Sequence, residues 1–291
     1  RAPHQVRGPP LLRRDTMTSS PNPLDMTRRQ LFGSVAEIYD AARPGYPDVL
    51  VSAVLDYAAL GDRPALEAGA GTGKATVPFA TALNGPLTCV EPDARMAEVL
   101  RRNTAAHPNV RIEVSSFEDW QPGDTRFGLL FAATSWHWID PARRWDLAHD
   151  VLARGGTVAL FWNPLGISDP DLHAALAEVD QRHGLTHTPH AVLASAFGDT
   201  PGHWPDMLGH WPAVDCAKDA RFTDLRSLRF REEAHYETAD YLAYLSSLSM
   251  YAALPTDHRA QALTDTATVL NTHGTGAPVE RIHDLFLTRR H

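Results

Sequence analysis

Between Leu66 and Lys74 the chain reads Leu-Glu-Ala-Gly-Ala-Gly-Thr-Gly-Lys, and few folds accommodate three glycines on alternate positions directly after a short apolar run. Ala65 and Leu66 have the character of a buried strand, while Gly69, Gly71 and Gly73 permit a sharp turn whose backbone comes close to a ligand. A helix is expected from about Thr72 to Leu83, with Pro78 near its first turn. The unpaired N–H groups of that turn would then stand beside the loop, a place for a carboxylate or another polar ligand group. Spacing separates the nucleotide loops that such a stretch resembles. A P-loop needs G-x-x-x-x-G-K-[ST], but Ala68 stands at its first glycine and Ala75 at its metal-binding hydroxyl. A dinucleotide loop needs G-x-G-x-x-G, and Lys74 occupies the third glycine, where close helix packing wants no side chain; this weakens an NAD reading. The pattern left is Glu-x-Gly-x-Gly-x-Gly, beginning at Glu67.

A chain of 291 residues can bury one large core with a small cap. Its net charge of −8 argues against nucleic acid or an anionic membrane as main partner, since both want a basic face, and leaves small molecules. Two cysteines, Cys89 and Cys216, supply neither a disulfide framework nor a Cys-rich metal site, and no apolar run approaches the ~18 residues of a membrane helix, so a reducing cytoplasm is expected. The opening residues lack the apolar region of a secretory signal, and 1–26 read as a disordered leader with Met17 or Met26 as alternative starts.

The remaining elements follow in order. Apolar steps at Leu31, Phe32, Val35 and Ile38 predict a helix from Thr27 to Ile38, and a second is expected over Asp48–Leu60 with Gly61 as its cap. Between them Tyr39 to Pro47 places two tyrosines, Tyr39 and Tyr46, around Arg43; beside a rigid turn, this suggests substrate contact. Leu87–Val90 reads as a strand, and Glu91 at its tip lies 18 positions past Gly73, where a βαβ unit would let its carboxylate accept the hydroxyls of a ribose. Strand Val110–Val114 leads to Ser116, Phe117 and Glu118, residues that either bracket an adenine or fill core. Strand Phe127–Ala132 leads to Trp136-His137-Trp138, where His137 is placed to act as a base or orient a substrate, or is simply structural. A helix over Pro141–Leu152 and a strand over Thr157–Trp162 complete an alternating pattern, so the fold class is α/β and doubly wound.

Residues 164–223 are expected to form an inserted, partly helical cap on a core of 27–163, and 224–291 to complete the same domain with strands near Leu228–His235 and Val279–Thr288 and helices over Ala239–Ala253 and Asp257–Thr272. Within the cap a helix is expected near Asp171–His183, and His183, His187 and His190 read as solvated or substrate-lining residues rather than a metal site, so no metal is expected. Trp204 and Trp211, each before a proline, would roof a pocket or pack the cap.

Taken together, Glu67 with its glycines, Glu91-Pro92-Asp93, Ser116 to Trp120, Trp136-His137-Trp138 and Arg154-Gly155-Gly156 occur in the order of the class I S-adenosylmethionine-dependent methyltransferases. Tyr39 to Pro47 and Trp136 to Asp140 resemble, more narrowly, a small-molecule branch similar to trans-aconitate methyltransferase. The resemblance covers roughly Phe32 to Asn163. It implies a Rossmann-like seven-stranded sheet with the last strand antiparallel, S-adenosylmethionine as cofactor, and methyl transfer to an O, N, C or carboxylate acceptor. Other roles on the same fold stay open: a non-methylating cyclase or binding module, or an NAD-dependent oxidoreductase. Glu67, Gly69, Ala70, Gly71 and Gly73 would surround the methionine part, Glu91 and Pro92 the ribose, and Ser116, Phe117, Glu118 and Ala133 the rest of the cofactor. Tyr39, Arg43, Tyr46, Trp136 and Trp138 would hold the substrate, with His137 as the catalytic candidate. Two departures from the resembled pattern are Ser116, where many relatives carry an Asp, and Gly128 in place of an acidic residue.

Overall fold

Along the central strands successive side chains point to opposite faces, and that alternation builds a core on each side of one sheet. The computed structural model describes residues 36–185, 190 and 207–291. Strands β1 (Ala65–Ala68), β2 (Leu87–Val90), β3 (Val110–Glu113), β4 (Phe127–Ala133) and β5 (Leu152–Trp162) are parallel, in the spatial order β3-β2-β1-β4-β5. Ala65, Cys89, Leu129, Phe131 and Phe161 pack on one face, where Phe79 stacks on Phe131 at 4.2 Å. Their neighbours Leu66, Val90, Leu130, Ala132 and Leu160 pack on the other with Trp136 and Phe286. Buried on both sides, the strands carry the near-continuous apolar runs that a parallel sheet requires.

The last long strand, β8 (Ala277–Arg290), runs antiparallel to β5, as expected of this α/β fold. Strand β7 (Phe222–Tyr236) lines it antiparallel over its whole length and starts six residues before the predicted Leu228. A three-residue strand β6 (Leu165–Ile167) also pairs with β8, in the stretch that the sequence assigned to the cap. So short a segment carries no readable period.

Helix α1 (Ala36–Ala42) continues past the expected end at Ile38; its predicted start and the leader lie outside the described residues. Helix α2 (Asp48–Ala58) is closed by Ala59 rather than Gly61: Ala59 is left-handed at φ 44° and its N–H donates to Leu55 O. Helix α3 (Thr76–Ala82) begins four residues later than expected, because 72–75 are used in turns. Pro78 therefore falls in its first turn, where a missing N–H costs nothing. Helix α4 (Ala94–Asn103) follows β2 with Asp93 as cap, and α5 (Arg144–Val151) starts three residues after the predicted Pro141. Helix α6 (Pro170–Arg182) is capped by Asp169, whose carboxylate accepts from the N–H groups of Asp171 and Leu172. A short α7 (Ala213–Cys216) precedes β7. The predicted single helix over 239–253 is two, α8 (Thr238–Ser246) and α9 (Ser249–Ala252), because Leu248 is extended at ψ 137°. With α10 (Thr256–His273), they share a separate apolar cluster with α6, β6 and the outer part of β8.

Two expectations about side chains are corrected. His183 is half-buried rather than freely solvated, its Nε2 pairing with Asp265 at 2.9 Å, and His190 is buried, its Nδ1 2.8 Å from the Tyr241 hydroxyl. Trp211 packs on Trp162 at 5.3 Å, whereas His187 and Trp204 lie outside the described residues.

Candidate active site

A cavity of about 500 Å³ opens at the carboxyl ends of β1, β2, β3 and β4, the edge at which open parallel sheets bind ligands. Its floor is the glycine loop. Gly69 and Gly71 line it, at φ 73° and 59°. A Cβ on Gly71 would meet nothing within 4 Å, so the loop backbone faces open space there. Gly69 has no such room, because a Cβ would come 2.6 Å from that of Ser135. Gly73 and Ala70 are near but not in the lining; Gly73 faces Leu100 and Ala70 is buried in the core.

Glu91 stands at the tip of β2 and is nearly buried, with its carboxylate held in place by the backbone. Its Oε2 accepts from Gly71 N–H at 2.8 Å and its Oε1 from Asp93 N–H at 2.9 Å. The predicted spacing thus brings this acid across to the glycine loop. Pro92, Asp93 and Met96 continue the wall, and Ser116, Phe117 and Glu118 form the next part of it. Ser116 caps its own turn, its Oγ accepting from Asp119 N–H at 3.1 Å, while Glu118 Oε1 accepts from Asp140 N–H at 3.0 Å.

Glu67 lies beneath the floor and does not line the cavity. It is fully buried; Oε2 accepts from Thr76 Oγ1 at 2.6 Å, and Oε1 has no hydrogen-bond partner. Burial pushes its carboxyl up to about 8, against the opposing hydrogen bond from Thr76. Gly128, where an acid was noted as absent, has no room for one: a Cβ would lie 2.5 Å from Leu60 Cδ1.

The opposite wall comes from segments far apart in sequence. Ala133 ends β4, Thr134, Ser135, His137, Trp138 and Ile139 follow it, and Tyr39, Arg43 and Ser249 complete the wall. Trp136 to Trp138 form a single 3-10 turn that sends the two tryptophans in different directions. Trp138 lines the cavity, but Trp136 is wholly buried against Trp145, at 5.2 Å, so it is core and not pocket wall. Tyr46 likewise stays out of the lining; its hydroxyl meets Thr134 Oγ1 at 2.9 Å and its ring meets Phe161 edge-on. Arg43 lies 5.1 Å from the Tyr39 ring and 5.2 Å from that of Tyr244, and donates to Ser247 O at 3.3 Å. His137 Nδ1 accepts from Trp162 Nε1–H at 3.5 Å.

Thr134, Ser135, Asp93, Met96, Ile139 and Ser249 were not foreseen. Ser135 donates to Ala68 O at 2.5 Å, seating the turn after β4 on the end of β1. Position alone could have flagged the residues that directly follow β2 and β4. Ser249 could not be found that way, because it reaches the cavity through tertiary packing of the helical lobe.

The matches to known proteins coincide with this site. Residues 65–156 match the family model described as a methyltransferase domain. An uncharacterized methyltransferase from Mycobacterium tuberculosis is 35% identical over 132 residues, 45% of this chain and 51% of the relative. The chain thus spans about half the length of the curated relatives it matches first. An uncharacterized methyltransferase from Schizosaccharomyces pombe is 23% identical over 76% of this chain and 79% of its own. Among solved structures, a candidate type II methyltransferase from Anaeromyxobacter dehalogenans superimposes with a TM-score of 0.56 at 20% identity, over 85% of this chain and 97% of that one, a likeness of fold. The stretch that builds the cavity floor and the turn after β4 thus lies within the residues that match a methyltransferase-domain model, on a Rossmann-like fold.

Proposed function

We propose that the protein transfers the methyl group of S-adenosylmethionine to a small acidic molecule, with a carboxylate oxygen as acceptor. Arg43 carries the acceptor class. Arg43 lines the cavity, and its guanidinium makes no ion pair with a carboxylate among the described residues and has its Nε buried without a partner. In a chain of net charge −8, a cation so placed suits the fork-like recognition of an incoming carboxylate. Tyr39, under the same guanidinium, would complete that subsite.

The floor suits the cofactor. Gly71 offers an open backbone surface, and Glu91 is held in one orientation by two N–H groups. A carboxylate has about four lone-pair sites, so one fixed in this way can also accept the two hydroxyls of a ribose. Ser116, Phe117 and Glu118 would flank the adenine. When bound, the sulfonium supplies a methyl carbon already electrophilic, so the protein's task is alignment and exclusion of water.

His137 fits an orienting role better than that of a base. A neutral imidazole that accepts the Trp162 N–H at Nδ1 carries its proton on Nε2, the tautomer in which that nitrogen is a donor and not a base. A donor suits a carboxylate oxygen, which has no proton to lose; proton abstraction from a hydroxyl or carbon acid would need the other state. Trp138 and Ile139 would wall the acceptor from water.

The test is incubation with isotopically methyl-labelled S-adenosylmethionine and a panel of small acids, alcohols and amines, read by mass spectrometry. Labelled methyl esters are expected. Label in ethers or methylamines would move the acceptor to another atom, and cofactor binding without label in any product would leave a binding protein.

A further inference from the structure

Thr134 is a β-branched residue in the left-handed region, at φ 55°, on the wall of the cavity. Threonine disfavours that conformation, which persists only where neighbours enforce it. Three groups converge on it. Its N–H donates to Phe161 O at 2.8 Å, and its Oγ1 lies 2.9 Å from the Tyr46 hydroxyl and 3.4 Å from Asn163 Oδ1. Asn163 in turn donates through Nδ2 to Pro44 O at 3.0 Å and Gly45 O at 3.4 Å, just beyond Arg43. The Tyr-Asp-Ala-Ala-Arg-Pro-Gly-Tyr-Pro stretch, whose Tyr39 and Arg43 line the cavity, is thus tied at its far end to the ends of β4 and β5 by one polar knot.

The residue after Thr134 shows what the knot controls. Ser135 donates to Ala68 O at 2.5 Å and packs on Gly69 with no room for a methyl group between them. The direction in which the chain leaves Thr134 therefore decides whether Ser135 seats on the glycine loop and where His137 and Trp138 point. Burial holds the Tyr46 phenol far above its ordinary titration, so it stays a neutral hydroxyl partner throughout the working pH range.

We propose that Tyr46 and Asn163 are positioning residues that hold Thr134 left-handed, and through Ser135 set the shape of the cofactor floor and its alignment with Arg43. This rests on reading the cavity as an S-adenosylmethionine site. Neither residue lines the cavity.

A double-variant cycle on the full chain tests it. Glycine adopts positive φ without strain, so Thr134→Gly needs no enforcement. Calorimetry with S-adenosylhomocysteine should show Tyr46→Phe weakening affinity about 5- to 10-fold in the wild-type background and less than about 2-fold in the Thr134→Gly background. Equal losses in both backgrounds would make Tyr46 a packing residue and overturn the proposal. The ligand-free protein supplies a second readout, the intraresidue HN–Hα coupling and NOE of Thr134 by NMR. A left-handed signature that survives in Tyr46→Phe overturns the proposal; its loss supports it. If wild-type protein does not bind S-adenosylhomocysteine but the NMR signature depends on Tyr46, the methyl-transfer reading fails and the positioning role stands.

Discussion

Glu91 and Trp136 mark the two limits of what single residues disclosed. The 18-position step from Gly73 to Glu91 follows from the length of one helix and one strand, and the acid does reach the glycine loop. The proximity of Trp136 to His137 in sequence says nothing about direction, because one 3-10 turn points Trp138 at the cavity and Trp136 into the core. Thr134 was illegible for another reason: threonine gives no signal of a positive φ that its partners impose. Glu91→Ala should weaken binding of S-adenosylhomocysteine by about 1–3 kcal/mol, the value of one or two lost hydroxyl contacts, measured by calorimetry. Arg43→Ala should leave that affinity intact and raise the KM for an acid acceptor, by about 1.5–3 kcal/mol for a charge-assisted bond. His137→Gln retains a donor, so turnover should fall less than about tenfold; a drop of 10²-fold or more would restore a general base.

At the scale of elements, strands were more legible than their connections. Buried parallel strands are short apolar runs bounded by turn residues, and Leu87–Val90 was delimited to the residue. Helix starts were less so, since a glycine loop can spend several residues in turns before the helix opens, as 72–75 do here. The break between α8 and α9 and the pairing of β6 depend on packing in the helical lobe, which local periodicity does not encode. The junction of β1 and the turn after β4 gives a prediction at this scale. Gly69→Ala would demand a left-handed alanine and push a methyl group to 2.6 Å from Ser135 Cβ, with both sides fixed by backbone. A loss of about 1–3 kcal/mol in urea denaturation is expected, together with loss of S-adenosylhomocysteine binding. The same substitution at Gly71, also left-handed but in open space, should cost less stability.

Among the described residues, Glu67 and His190 are buried titrating groups that respond to pH in opposite directions. Glu67, under the glycine loop, is pushed up to about 8 by burial, from an ordinary 4.5. The folded core therefore holds a proton that the unfolded chain releases, so this group's contribution is fully present below about 4.5 and is lost as pH rises through 8. His190, in the helical lobe, is pushed down to about 3 from 6.5, again by burial. Asp180 lies 3.6 Å from its Nε2, too far to hydrogen-bond and keep the imidazole charged, so desolvation prevails. Its contribution is present above about 6.5 and is lost as pH falls through 3. Between 6.5 and 4.5 both slopes operate, each limited to ~1.4 kcal/mol per pH unit. Acidification through that window should strengthen the core around β1 and loosen the lobe around α8. Native-state hydrogen exchange at pH 7.5 and 5, corrected for intrinsic rates, can separate them. Amides of Tyr241 to Leu245 should lose protection at pH 5, while those of Leu66 and Glu67 in β1 should keep or gain it. His190→Gln should flatten the first response alone and Glu67→Gln the second alone; a uniform acid response across both sets would mean that the core and the lobe open only as one unit.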